Sequence, residues 1–438
     1  MRTKDIVSGI KCGLLDMHSR LEEQEIARRR YKRHAAFITE IRSKPGFSLA
    51  VKDNIAVKGI RFTAGSRILE GYVAGYDATA VERLGREFSI VGKASLDPFG
   101  AGSGGDTCDF GRTLNPHDIG RVPGGSSSGC AVAIALEMCD FALGSDTFGS
   151  ARAPAAFCGI VGFRPTYGLV SRHGLIPLCM SLDTVAPMAR DVWGVAYLLS
   201  HIAGPDKHDT TTHAGKETDY RSGLERYELK GKRVLVPQNL LELCDSGIIE
   251  CAEKGIGVMK DMGAKISRMR MEGLELSTHA YYLAMFAEFS SDMQRYGSPI
   301  YGFRGPVEEA RGRLLSAELK RRILIGTLIT MKEHRERWYS MGLKGIRRVR
   351  MLMEKGMERF DLMVMPSMPA PPWKHGTLNP VDSYKTDLLT GPASLAGMPA
   401  VSIPCGKAHG LHAGLQIIGR RFDDLGVLGA AHRLEGFL

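Results

Sequence analysis

The 438-residue chain is poor in aromatic residues, at 7% with three Trp, and it has no apolar run of 18 residues and no repeat at 20 to 50 residues. These absences argue against a membrane-spanning helix and against a solenoid. The first residues, MRTKDIVSGIKCG, lack the apolar core and small-residue cleavage site of a secretory signal, so a cytoplasmic protein with no membrane contact is expected. Cysteine is the next shortage. Nine residues, an odd number without a C-x-x-C pair, exclude a disulfide framework and a zinc knuckle, and point to reduced, mostly buried thiols. Acidic residues are also outnumbered, 48 against 58 Lys and Arg, for a formal charge of +10. That balance favours polyanions without naming a surface. The segments Ala27–His34 (ARRRYKRH) and Lys344–Lys355 (KGIRRVRMLMEK) carry much of the excess, and each also reads as a helix with one solvated basic face.

What is present is the composition of an ordinary globular protein, 44% hydrophobic and 24% charged. After a polar helical N-terminus, Phe47–Val51 (FSLAV) reads as a buried strand, Asp77–Glu87 as a helix capped by Asp77 with Val81 and Leu84 inward, and Phe88–Lys93 as another strand. Cys130–Gly144 suits a buried helix followed by a strand. Strand and helix alternate through a glycine-rich middle to about Ala203, the rhythm of an α/β sheet. Asp206–Thr218 is polar and reads as a surface loop, Lys232–Gln238 restarts the sheet, and Thr278–Met353 is mainly helical. The later strings FDLMVMP, AVSIPCG and GLQIIGR supply strands expected to return to the first sheet.

Two familiar patterns fail on context. Gly100–Gly105 fits G-x-G-x-x-G, but Asp97-Pro98-Phe99 separates it from the preceding strand and a poor helix former follows, so a dinucleotide site is not expected. Gly125–Gly129 fits G-x-S-x-G and would make Ser127 a nucleophile, yet an elbow must leave a strand directly, and NPHDIGRVPGG is irregular. The run does place a glycine-serine loop at the start of an apolar helix, where hydroxyls and free N–H groups can bind an anion or relay a proton. Downstream, Ser150 lies in a loop between Gly144 and Gly149 on one side and the apolar ARAPAAF on the other, beside possible N–H donors. Upstream, Lys52 ends the Phe47–Val51 strand.

Here the sequence resembles the amidase signature family, most nearly the A subunits of tRNA-dependent amidotransferases. The strings are VKDNIAVKGI, DATAVERLG, RVPGGSSSG, GSDTFGSARAPAAFCGIVGFRPTYGLVSRHGLI, SLDTVAPMARDV, AELKRRILIGT, DLLTGPASLAGMPAVSIPCG and GLQIIGR, in family order from Val51 to the C-terminus. Ser126 and Ser150 stand 24 residues apart, as the family's serine pair requires. The resemblance implies an amidase-signature α/β fold over 1–438, a large mixed β-sheet flanked on both faces by helices, with residues from about 206 to 355 forming a more helical substrate-side region.

It also implies a Ser-Ser-Lys triad: Ser150 the nucleophile, Ser126 the bridging serine after a cis peptide bond, and Lys52 the base. Thr147, Phe148, Gly149 and Ser150 would hold the oxyanion through their N–H groups. A lysine can act as base only when neutral, and lowering its pKa from about 10.4 to about 7 requires roughly 4 to 5 kcal/mol of differential desolvation. Asp53 should therefore point elsewhere. By motif, Arg322, with Arg321 the adjacent possibility, would take the α-carboxylate of glutamine and Asp387 its α-amino group. The implied activity is release of ammonia from glutamine for transamidation of Glu-tRNA(Gln), Asp-tRNA(Asn) or both. The implied partners are a B subunit, which uses ATP and magnesium on the mischarged tRNA, and a C subunit, with no metal or nucleotide on this chain. Two other readings stand beside this one: a freestanding amidase with the same triad, and a catalytically silent scaffold binding partners or RNA. The chain departs from the family pattern at Phe148, usually glycine, and at Ser128, Cys130 and Ala153, and its segment before Lys52 is short.

Overall fold

Eleven short segments rich in β-branched and apolar residues pair into one sheet in a computed structural model that describes the chain apart from residues 13, 214–218 and 297–300. In chain order they are β1 (Phe37–Glu40), β2 (Phe47–Lys52), β3 (Phe88–Ala94), β4 (Phe141–Asp146), β5 (Val161–Arg164), β6 (Thr184–Ala189), β7 (Arg233–Pro237), β8 (Lys265–Met269), β9 (Leu362–Pro366), β10 (Ala400–Ala408) and β11 (Leu411–Ile418). Their order across the sheet is β1-β3-β2-β4-β6-β5-β10-β11-β9-β7-β8. The sheet is mixed: β3, β2 and β4 run parallel, as do β9, β7 and β8, whereas β4/β6, β6/β5, β5/β10, β10/β11 and β11/β9 are antiparallel. This is the α/β architecture expected, and the C-terminal strands do return to it, through β5 and β10.

Because successive side chains alternate across a strand, the central strands feed two cores. Phe47, Leu49 and Val51 of β2 and Phe141 and Leu143 of β4 join the larger one, while Ala50 and Ala142 belong to a second with Cys130, Ala131, Val132, Ile134, Ala151 and Ala155. The helix Ser128–Ala135 is apolar all round and buried on every side as far as Ile134, which explains why no charged face interrupts it. Lys52 shares a strand face with Ala50 and so projects toward the start of this helix.

One expectation changes. Asp77–Glu87 is not one capped helix: only Thr79–Glu82 is α-helical, its N-cap Ala78 offers no side chain, and Asp77 instead accepts from the Lys58 N–H at 2.7 Å. Val81 and Leu84 are nonetheless buried. The polar stretch from Asp206 is anchored where described, with Asp206 accepting from Thr79 and Ser171 and Asp209 paired with Arg172 at 3.1 Å; positions 214–218 of that stretch lie outside the described residues. The helical region consists chiefly of Ser277–Asp292, Ala317–Thr330 and Trp338–Arg359, packed on one another, with the last also on the short helix Gly391–Ala396 before β10. All nine cysteines are free and seven are buried. No helix among the described residues is long and apolar enough to cross a membrane.

Candidate active site

Lys52, at the end of β2, is fully buried, and its amine meets three hydroxyls: Ser126 Oγ at 2.7 Å, Ser127 Oγ at 2.9 Å and Ser145 Oγ at 2.9 Å. It has no ion pair among the described residues. Asp53 turns away, as expected, to the buried Lys93 at 3.1 Å and to Thr63. Desolvation therefore dominates and lowers the Lys52 pKa to about 8, against smaller opposing effects from Cys130, Asp97, Asp146 and Asp183.

The hydrogen-bond inventory narrows the direction of these contacts when this amine is neutral, with two N–H groups and one lone pair. Ser127 gives its proton to the Ser145 carbonyl at 3.0 Å, so toward Lys52 it accepts. Ser145 Oγ takes a bond from Asn54 Nδ2 at 3.1 Å and keeps its own proton, so the lone pair of a neutral Lys52 faces the hydroxyls of Ser126 and Ser145. Neither Ser127 nor Ser145 is marked in the sequence as a member of this shell; the G-x-S-x-G string speaks only of a nucleophile.

Ser126 follows a cis Gly125–Ser126 peptide bond and precedes the helix Ser128–Ala135. Ser150 is fastened beside it by its main chain, its carbonyl accepting the Ser127 N–H at 3.0 Å. Ser150 is half-buried, and its hydroxyl takes no hydrogen bond among the described residues. The lysine and the bridging serine are thus in contact, and Ser150 is tied to the same loop through its main chain, with no hydrogen bond between the Ser126 and Ser150 hydroxyls among the described residues.

The loop before Ser150 is held by charge. Asp146, at the end of β4, is fully buried between Arg152 (2.9 Å) and Arg164 (3.0 Å), and the two guanidiniums hold its carboxyl well below the usual range despite burial. Asp146 also accepts the Gly149 N–H at 3.1 Å, and this corrects one expectation: that donor is committed to the protein and is not part of an oxyanion cradle. The N–H groups of Thr147, Phe148 and Ser150 have no acceptor among the described residues. Gly149 has φ +130°, and a Cβ there would lie 2.3 Å from Thr390 Oγ1, so no other residue fits. Phe148, where the family usually has glycine, stacks on Tyr281 with ring centroids 3.9 Å apart, and its carbonyl accepts from Thr390 Oγ1 at 2.6 Å.

The two candidate recognition residues are both buried. Asp387 accepts from Ser103 Oγ at 2.6 Å, and burial raises its pKa to about 7 against the opposing pull of Ser103 and Arg322. The Ser103 carbonyl accepts the N–H of Gly125 at 2.7 Å, so one residue ties Asp387 to the loop carrying Ser126. Ser103 sits in the glycine string whose context does not suit a nucleotide. A Cβ on Gly105 of that string would lie 2.3 Å from Ser128 Cβ and 2.6 Å from the Gly124 carbonyl, so that glycine makes room for the catalytic loop. Arg322 is bonded through Nε to Glu318 at 2.6 Å. Arg321 is less buried and bonds Glu318 and Tyr384 instead, which favours Arg322 of the two. Among the described residues no cluster of His, Cys, Asp and Glu could hold a metal ion.

The family described as Amidase matches residues 21–428. The chain is 42% identical over 420 residues to the A subunit of the Glutamyl-tRNA(Gln) amidotransferase of Symbiobacterium thermophilum, spanning 92% of this chain and 85% of that protein. It is 40% identical over 392 residues to the protein of the same name from Methanocaldococcus jannaschii, spanning 89% and 88%. The crystal structure of the A subunit of the Glutamyl-tRNA(Gln) amidotransferase of Thermotoga maritima superposes with a TM-score of 0.84 at 34% identity, over 99% of this chain and 94% of that one. The native peptide amidase of Stenotrophomonas maltophilia superposes with a TM-score of 0.84 at 26% identity, over 100% and 96%.

Proposed function

The chain belongs to the amidase family, and from that premise we propose that it is the glutaminase component of a tRNA-dependent amidotransferase of the cytoplasm. It hydrolyses glutamine to glutamate and ammonia. The relatives' names support the setting, and the observation that carries the substrate is Ser103, which joins a buried carboxylate fit for an ammonium, Asp387, to the loop that presents Ser126 to Lys52. A zwitterion needs one charge of each sign, and Arg322 is a buried cation whose charge acts on Asp387.

In the proposed cycle the glutamine carboxylate lies on Arg322 and its ammonium on Asp387. The side-chain carbonyl points at the N–H groups of Thr147, Phe148 and Ser150. Lys52 takes the Ser126 proton as Ser126 takes that of Ser150, and Ser150 Oγ attacks the carbonyl carbon. Collapse of the tetrahedral intermediate breaks the C–N bond, with the proton returned through Ser126 to the departing nitrogen. Water then cleaves the glutamyl ester by the same relay and frees glutamate. Each oxyanion donor of this kind is typically worth about 10² to 10³ in rate.

Ammonia is unreactive once protonated, so its acceptor should be close by. We assign activation of the mischarged tRNA, with ATP and magnesium, to a partner B subunit, and assembly to a C subunit, while this chain carries no cofactor. The test is ammonia release from glutamine by the chain with its partners: Ser150→Ala should abolish it with the fold intact, and unchanged turnover would refute the assignment. Transamidation by the reconstituted complex on Glu-tRNA(Gln) and on Asp-tRNA(Asn) separately reads which acceptor is served.

A further inference from the structure

Glu318 lies in the first turn of the helix Ala317–Thr330, three residues before Arg321 and four before Arg322, so all three share one face. Its two oxygens are divided between the arginines. Oε1 accepts from Arg322 Nε at 2.6 Å, and Oε2 accepts from Arg321 Nε at 3.0 Å and again from its Nη2. The outcome for the two guanidiniums is different. Arg321 spends its Nε and Nη2 edge on Glu318, with Nη2 also reaching the Tyr384 hydroxyl. Arg322 is held only at Nε: its Nη1 meets the Met285 thioether at 3.8 Å, and neither Nη1 nor Nη2 has an oxygen acceptor among the described residues. A buried guanidinium with an open two-nitrogen end is built to take a carboxylate side-on.

Glu318 reaches the other recognition residue too. The Tyr384 hydroxyl donates to Oε1 at 3.3 Å, and Tyr384 begins the single turn Tyr384–Asp387 that ends in Asp387. The Tyr384 ring lies on Tyr282, 3.8 Å between centroids, so the turn is packed against the helix Ser277–Asp292. One carboxylate thus braces the cation on one helix and the anion-bearing turn opposite it.

We infer that Glu318 is the positioning residue that selects Arg322 over Arg321 as the reader of the substrate carboxylate, by fixing Nε so that the Nη edge faces the substrate. This rests on the glutamine reading above. Glu318 touches no reacting atom, so removing it should weaken the ground state and the transition state alike.

The experiment compares glutamine with 4-aminobutanamide, which is glutamine without its α-carboxylate, using the full chain alone and reconstituted with its partners. Glu318→Gln should raise the KM for glutamine about tenfold or more with kcat within about twofold, and leave 4-aminobutanamide turnover within about twofold of wild type. That second substrate is the control for folding. Equal losses on both amides in Glu318→Gln would make the residue merely structural and overturn the inference, as would an unchanged glutamine KM. Wild-type protein that does not distinguish the two amides would sink the glutamine reading itself, a different result from wild-type discrimination that survives Glu318→Gln.

Discussion

Lys52 offers the sharpest quantitative consequence. Its amine is fully buried among three hydroxyls and without a carboxylate partner, and the resulting pKa of about 8 rather than 10.5 reflects a bias of order 3 kcal/mol toward the neutral form. The sign follows directly. A base acts when deprotonated, so activity should rise with pH through about 8 and level off above it. Near pH 7 roughly one molecule in ten would hold a neutral lysine, and near pH 8 about half, so kcat at saturating glutamine should climb about fivefold between them and less than twofold beyond. Saturation removes the separate titration of Asp387 from the comparison. The assay is initial-rate ammonia release from stopped aliquots across that range. Lys52→Arg keeps the charge but cannot deprotonate, and should lose about 10² to 10⁴ in kcat with no pH bend. A kcat rising tenfold per pH unit past pH 9, as an ordinary lysine would give, or one flat from pH 6 upward, would refute the claim that burial prepares this amine.

The same logic applies at the recognition end and at the nucleophile loop. Asp387 must be ionised to hold an ammonium, and its pKa is raised to about 7, so the glutamine KM should fall as pH rises through about 7; Ser103→Ala removes the hydroxyl that opposes the rise and should move that midpoint upward, which a KM-against-pH series will read. Asp146→Asn leaves Arg152 and Arg164 buried with a neutral partner, and chemical denaturation should show a loss of about 3 to 5 kcal/mol; a loss under 1 kcal/mol would mean the two guanidiniums find other acceptors.

Much of the fold is legible because its strands are locally distinctive. Phe47–Val51 shows in the sequence because both its faces are buried and four of its five residues are apolar, and Phe88–Lys93 through its Phe, Ile and Val. Asp77 misleads because a cap residue before an apolar pair is a local signal, and here a tertiary acceptor role toward the Lys58 N–H prevails over it. Lys52, Ser126 and Ser150 stand out through their motif strings, and the structure sets Lys52 on Ser126 and ties the Ser150 main chain to Ser127, but nothing in those strings gives Ser127, Ser145 and Ser103 their parts. The reason is distance along the chain: Ser103 meets Asp387 across 284 positions, and no periodicity reports such a contact. Gly149 is legible as part of a loop beside the nucleophile, not as a donor already taken by Asp146, since that depends on where the carboxylate of β4 turns.

The central claim is that a neutral Lys52 drives Ser150, through Ser126, onto an amide carbonyl. Rapid quenching of turnover followed by peptide mass mapping tests it most directly. The account predicts a glutamyl ester on Ser150 in wild type that disappears in Ser150→Ala and fails to accumulate in Lys52→Arg. An ester at Ser127 or Ser126, or full ammonia release with no acyl group on any serine, would contradict it.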